Sequence, residues 1–200
     1  MKIITDWGMK TTSPLEPLNL KNVDAIALHH MSHPSANIYE VERWHLNQGW
    51  RAIGYNYWVG FDGRVYEGRG FNIGAGVEDE NDHIISIGFQ GDYHSKLISM
   101  PKAQFNAGLC IIEYVQKKLP HIKTIGGHKD FMPTACPGQY FPLDELKNGI
   151  PNELTHIYDI VWDLASRGVL SENEKWLEKL DKDQDAYWLA RKVVNYLREL

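Results

Sequence analysis

The sequence predicts an α/β fold, a mixed β-sheet flanked by helices, followed by a small bundle of three helices at the C-terminal end. Three observations predict it. Short apolar runs of strand length alternate with stretches whose apolar residues recur at helical spacing. An Asp-Gly pair between two of those runs signals a hairpin turn. Gly and Pro are frequent up to Pro151 and then nearly vanish, leaving only Gly168.

In chain order, Asp24-Ala25-Ile26-Ala27-Leu28-His29-His30 reads as a buried strand that ends in polar residues. Asn37 is placed to cap a helix in which Ile38, Val41, Trp44 and His45 share a face, and Gly49 stops it. Tyr55 to Val59 and Arg64 to Tyr66 flank Phe61-Asp62-Gly63 as a hairpin, and Ile84 to Phe89 is a further apolar strand. Pro101 opens a long helix carrying Phe105, Leu109, Ile112 and Val115, which ends before Pro120. Lys123 to Gly127 reads as a strand, a Pro- and Gly-rich loop follows, and Pro142 to Lys147 is a short helix.

The boundary falls at Gly149-Ile150-Pro151, giving one domain over 1–150 and a helical domain over 151–200. In the second, three helical stretches cover about 152–167, 171–180 and 184–199. Trp162, Trp176 and Trp188 there suit a core, a homodimer contact or a sugar-binding face.

Length and composition bound the function. Two hundred residues suit one medium domain with a small appendage. With 43% hydrophobic and 24% charged residues, a soluble core is expected and disorder is not. A net charge of −5 and no basic run disfavour nucleic acid as a partner. Seven Trp and ten Tyr suit either an aromatic core or a carbohydrate-facing groove. No stretch reaches 18 apolar residues, so membrane insertion is not expected. Met1 to Ser13 lacks the basic and then apolar pattern of a signal peptide, so cytoplasmic synthesis is expected. Glu78-Asp79-Glu80-Asn81-Asp82 reads as a solvated acidic loop.

Two cysteines in a chain this long do not make a disulfide framework. Cys110 lies in an apolar helical pattern and is expected to be a small buried residue. Cys136 lies in a loop stiffened by Pro133 and Pro137, with His128 eight residues before it. A thiolate and an imidazole are favoured zinc ligands, and a stiff loop limits the entropy lost in holding them. His29 closes a strand where a side chain can enter a cleft, though His30 and His33 compete with it on local grounds. Two His and one Cys leave a fourth tetrahedral position open for water, as catalytic zinc requires.

Several ordered motifs carry a resemblance that runs from roughly Ala25 to Leu146. They are Ala25-Ile26-Ala27-Leu28-His29-His30, Trp44-His45, Gly49-Trp50-Arg51-Ala52-Ile53-Gly54-Tyr55-Asn56-Tyr57 and Val59 through Arg69. Ser86-Ile87-Gly88, Gly127-His128-Lys129-Asp130 and Pro133-Thr134-Ala135-Cys136-Pro137-Gly138 complete the set. The chain resembles the zinc N-acetylmuramoyl-L-alanine amidases, which include phage lysozymes of the amidase type, type-2 amidases of bacteria and prophages, and animal peptidoglycan recognition proteins.

The resemblance implies the sheet architecture of those proteins and one Zn²⁺ held by His29, His128 and Cys136. It implies catalytic roles for Tyr55 and Thr134, and marks Arg69, His30 and Trp50 as candidate substrate-binding residues. The implied reaction is hydrolysis, by a zinc-activated water, of the amide between N-acetylmuramic acid and L-alanine in bacterial peptidoglycan. The Tyr55 and Thr134 hydroxyls are the candidate oxyanion stabilisers. His45 reads as a satisfied, partly buried histidine.

An endolysin of a phage or prophage follows as the expected biological type, reaching the wall by holin-type release. The alternatives are a non-catalytic peptidoglycan-binding module and a cytoplasmic muropeptide-recycling amidase. Cys136, typically lost in binding-only members, argues for catalysis. Two departures touch the substrate loop: Gly74-Ala75-Gly76 stands where the family commonly has Gly-Ala-His, and His83 stands where it commonly has Asn.

Overall fold

Residues 2–95 and 99–149 are described by the structure, a computed structural model. Six strands form one sheet: β1 (Ile3–Ile4), β2 (Ala25–His30), β3 (Tyr57–Val59), β4 (Val65–Glu67), β5 (Ile84–Phe89) and β6 (Thr124–Gly127). Their order is β1-β4-β3-β5-β2-β6, with β3 and β4 antiparallel and every other pair parallel. The helices are α1 (Ile38–Asn47), α2 (Lys102–Lys118) and α3 (Leu143–Lys147), with a 3-10 turn at His128–Asp130. This is the mixed sheet flanked by helices that the sequence predicts. The expected three-helix bundle over 151–200, and any homodimer contact through it, lie outside the described residues.

Local chemistry fixes the element ends. Asn37 accepts from Tyr39 N and Glu40 N, and Glu40 Oε2 accepts from Asn37 N, a reciprocal capping box that starts α1. Gly49 ends that helix at φ +83°, a conformation that favours glycine. Strand β3 starts at Tyr57 rather than Tyr55, and β4 runs Val65–Glu67 rather than Arg64–Tyr66. Strand β1 was not readable from two isoleucines; it pairs with β4, and Trp7 behind it donates from Nε1 to Glu67 O at 2.6 Å.

Side-chain alternation gives the two faces of the sheet opposite characters. Ile26 and Leu28 of β2, Ile85, Ile87 and Phe89 of β5, and Tyr57 and Val59 of β3 pack together against Phe105, Ile111, Ile112 and Val115 of α2. Each such burial contributes about 1.5–3 kcal/mol. Helix α2 approaches closely: a Cβ at Gly108 would lie 2.7 Å from the Phe89 ring. Cys110, expected to be buried, is exposed, since the helix turns residues 108, 111, 112 and 115 to the sheet and leaves 110 outside. The opposite face carries Ala25, Ala27 and His29 on β2, with Ser86 and Gly88 paired beside Ala27 and His29 on β5. Small side chains there leave room above the sheet.

Candidate metal centre

Parallel strands end on the same side of a sheet, and ligands gather at their carboxyl ends. Register brings Leu28 of β2 beside Gly127 of β6, so His29 and His128, the next residue on each chain path, come together. Their ring centroids lie 4.5 Å apart. Cys136 reaches the same point from the proline-stiffened loop, with its Sγ 3.9 Å from His29 Nδ1. That loop is tied back by Lys129 N donating to Cys136 O at 2.9 Å. The candidate ligand atoms of His29, His128 and Cys136 all lie within 4.8 Å of one another.

The donor set fits a zinc ion. Two imidazoles and one thiol are its favoured partners, and three protein ligands leave a fourth position free. Burial holds His29 well below the usual histidine range, with His128 and His30 adding to the effect, and burial lowers His128 too. Both imidazoles are therefore neutral at pH 7, the form that ligates. Burial pushes the Cys136 thiol up to about 11, against a smaller opposing effect of its hydrogen bond to the His30 backbone. A bound cation would reverse that cost by taking the thiolate. His128 Nε2 is buried and has no hydrogen-bond partner, a polar atom left for something the chain itself does not supply.

His30, by contrast, points to the other face. Its Nδ1 accepts from Tyr93 N at 3.0 Å and its Nε2 lies 2.7 Å from Ser32 Oγ. Both ring nitrogens are taken and the residue is 4% exposed, so the substrate contact expected of His30 has no free donor or acceptor to make it. Strand alternation separates His29 from His30 without any family comparison: Ala25, Ala27 and His29 share one face, Ile26, Leu28 and His30 the other.

Tyr55 lies over the centre, its ring 5.4 Å from His29 and 5.6 Å from His45. It fits because position 88 is glycine: a Cβ there would lie 2.7 Å from the Tyr55 ring and 2.9 Å from Trp58. Burial, with Cys136 adding to it, raises the Tyr55 hydroxyl far above its ordinary value, so it stays protonated. Thr134 is exposed at the rim; its Oγ1 accepts from Cys136 N at 3.3 Å. His45 is buried, as expected: Nδ1 accepts from Gly54 N at 3.0 Å and the ring stacks on Trp50 at 4.4 Å.

Trp50 and Arg69 line a cleft of about 290 Å³ together with Glu16, Arg51, Ile73 and Gly74. Arg69 is nonetheless buried, and its guanidinium is spent on backbone. Nε donates to Ile53 O, Nη1 to Ile73 O and Gly74 O, and Nη2 to Ala52 O.

The family model described as N-acetylmuramoyl-L-alanine amidase matches residues 19–139. The chain belongs to the N-acetylmuramoyl-L-alanine amidase family. It is 31% identical over 152 residues to a peptidoglycan-recognition protein of Drosophila simulans, covering 72% of this chain and 83% of that one. It is 34% identical over 116 residues to the N-acetylmuramoyl-L-alanine amidase of Sus scrofa, covering 52% of this chain but only 18% of that protein. The fold superposes on the amidase LysC of Clostridium intestinale URNW with a TM-score of 0.66 at 25% identity, covering 74% of this chain and 96% of that one. Peptidoglycan recognition protein LB of Drosophila gives a TM-score of 0.62 at 26% identity, covering 77% and 95%.

Sequence reasoning passed over Asn56 and the role of Ser86 in this family member. Asn56 Nδ2 donates to Gly70 O and Asn72 O while its Oδ1 accepts from Ser86 N. Ser86 Oγ in turn lies 3.2 Å from His29 Nε2. Period-two alternation on β5, which sets Ser86 and Gly88 on the face of His29, is the signal that would have found Ser86.

Proposed function

We propose that this protein is a zinc-dependent amidase that hydrolyses the bond between N-acetylmuramic acid and L-alanine in bacterial peptidoglycan. The convergence of His29, His128 and Cys136 within 4.8 Å beneath the Tyr55 ring carries this reading. A zinc ion held by His29, His128 and Cys136 would supply a bound water with its pKa lowered to about 7 and an electrophile for the lactyl carbonyl. Tyr55 keeps its proton and faces the centre, which suits it to donate to the oxyanion that forms when that carbonyl is attacked. Thr134 accepts from Cys136 N–H, which leaves its own hydroxyl proton to donate beside the ligand Cys136. Trp50, stacked on His45, offers a rigid wall for the substrate beside Tyr55.

The endolysin type is supported by the similarity to the endolysin amidase LysCS of Clostridium intestinale URNW, at 25% identity and a TM-score of 0.66. In that reading the protein acts on the wall after release from the cell that makes it.

Replacing Cys136 by Ser separates cutting from binding. The variant is expected to sediment with insoluble wall as the unaltered protein does, while releasing no peptide. Wall release by Cys136→Ser at the unaltered rate would remove the metal from the account, and an unaltered protein that sediments but releases nothing would make it a binding module.

A further inference from the structure

We propose that Ser86, given clearance by Gly76, is the positioning residue that fixes the His29 ring, accepting a hydrogen bond from its Nε2–H and so directing the Nδ1 lone pair at the point where Cys136 and His128 converge. The inference rests on the metal reading above and names the part of the chain that prepares the ligand.

A neutral imidazole carries one proton, on either nitrogen. Nδ1 of His29 faces the Cys136 sulfur at 3.9 Å, so a ligating His29 must hold its proton on Nε2. Ser86 Oγ, 3.2 Å from that nitrogen, is the hydrogen-bond partner there. Ser86 is fully buried. Its backbone is clamped by Asn56, which accepts from Ser86 N at 2.8 Å and donates its own N–H to Ser86 O at 2.9 Å. Asn56 is anchored in turn on the carbonyls of Gly70 and Asn72, outside the ligand cluster.

Gly76 completes the arrangement. A Cβ at that position would lie 2.4 Å from Ser86 Oγ, 2.8 Å from Ser86 Cβ and 3.2 Å from His29 Nε2. Those atoms belong to a central strand and a ligand ring, neither of which can give way cheaply. A side chain at position 76 would displace the serine hydroxyl from His29. In this chain the glycine leaves the Ser86 hydroxyl in contact with His29 Nε2. Partners of this kind typically change metal affinity about 10–100-fold when removed.

The test uses the full chain labelled with ¹⁵N-histidine and stripped of metal, at about pH 8 where free imidazole is neutral. Long-range ¹H–¹⁵N correlation reads the His29 tautomer, assigned by its loss in His29→Gln. The unaltered protein is expected to show the Nε2–H tautomer. Ser86→Ala is expected to populate both tautomers and to raise the zinc dissociation constant about 10–100-fold in competition with a chromophoric chelator. Gly76→Ala is expected to do the same with Ser86 intact.

An Nδ1–H tautomer in the unaltered protein would overturn the proposal, and that measurement needs no variant to fold. So would a folded Ser86→Ala with its tautomer unchanged and zinc affinity within about twofold of the parent. An Nε2–H tautomer in an unaltered protein that binds no zinc would sink the metal reading and leave the Ser86 contact standing.

Discussion

Replacing Arg69 by Met tests whether this residue is a clamp or a substrate contact. Its guanidinium holds two loops together, Ala52–Ile53 by Nε and Nη2 and Ile73–Gly74 by Nη1. Two of the four bonds are short, at 2.8 Å to Ile53 O and 3.0 Å to Ile73 O. The others, at 3.3 and 3.4 Å, add little. A hydrogen bond from a charged donor contributes about 1.5–3 kcal/mol, so the two short bonds represent about 3–6 kcal/mol. Methionine keeps the apolar stem and removes a buried charge that has no carboxylate partner among the described residues, which recovers part of the loss. A net destabilisation of about 3 kcal/mol remains, and in a domain this size that lowers Tm by about 6–12 °C. Lysine recovers less than half of it, since one ammonium does not span both loops. Thermal unfolding by circular dichroism reads the shift, and peptidoglycan titration reads KM. A Tm within about 2 °C of the parent, with a raised KM, would refute the clamp and restore the substrate contact.

Other perturbations separate the remaining roles. Tyr55→Phe is expected to lower kcat by about 10²–10³ with wall binding kept, measured by peptide release; an unchanged kcat would remove the hydroxyl from the reaction. Gly88→Ala brings a Cβ to 2.7 Å from the Tyr55 ring, so it is expected to cost about 1–3 kcal/mol in denaturant melts and to lower activity as Tyr55 moves. His45 is held down to about 4 by burial, with Arg69 contributing. Its folded value lies below its unfolded one, so it has no effect above about pH 6.5 and costs stability progressively as pH falls towards 4, by roughly 3 kcal/mol in full. His45→Asn keeps an acceptor for Gly54 N–H and cannot charge. Its denaturant midpoint is therefore expected to fall less than the parent's between about pH 7 and 5, and equal falls would exclude His45 as the titrating group.

Much of the fold was legible because its elements obey strong local rules. Asn37 marks the start of α1, Gly49 its end, and Asp62-Gly63 the hairpin. Strands β2 and β5 are continuous apolar runs because both faces are covered. What was not legible depends on tertiary contact. Ile3–Ile4 becomes a strand only because β4 lies beside it. Cys110 lies within an apolar stretch, yet it falls on the outer side of α2. In the site, the His and Cys types with the stiff loop pointed to a metal, while the approach of His29 and His128 comes from parallel register between strands nearly a hundred residues apart. The backbone bonds of Arg69 were not legible either, since a sequence does not reveal which carbonyls will lack partners.

The central claim is that this chain cuts one bond with a bound zinc ion. The most direct measurement is digestion of purified peptidoglycan by the full chain, scoring newly freed L-alanine amino groups against newly freed reducing sugar ends. Amino groups are expected to appear, to stop appearing when a chelator strips the metal, and to return when zinc is restored. Sugar ends in place of amino groups, or amino groups released unchanged in excess chelator, would contradict it.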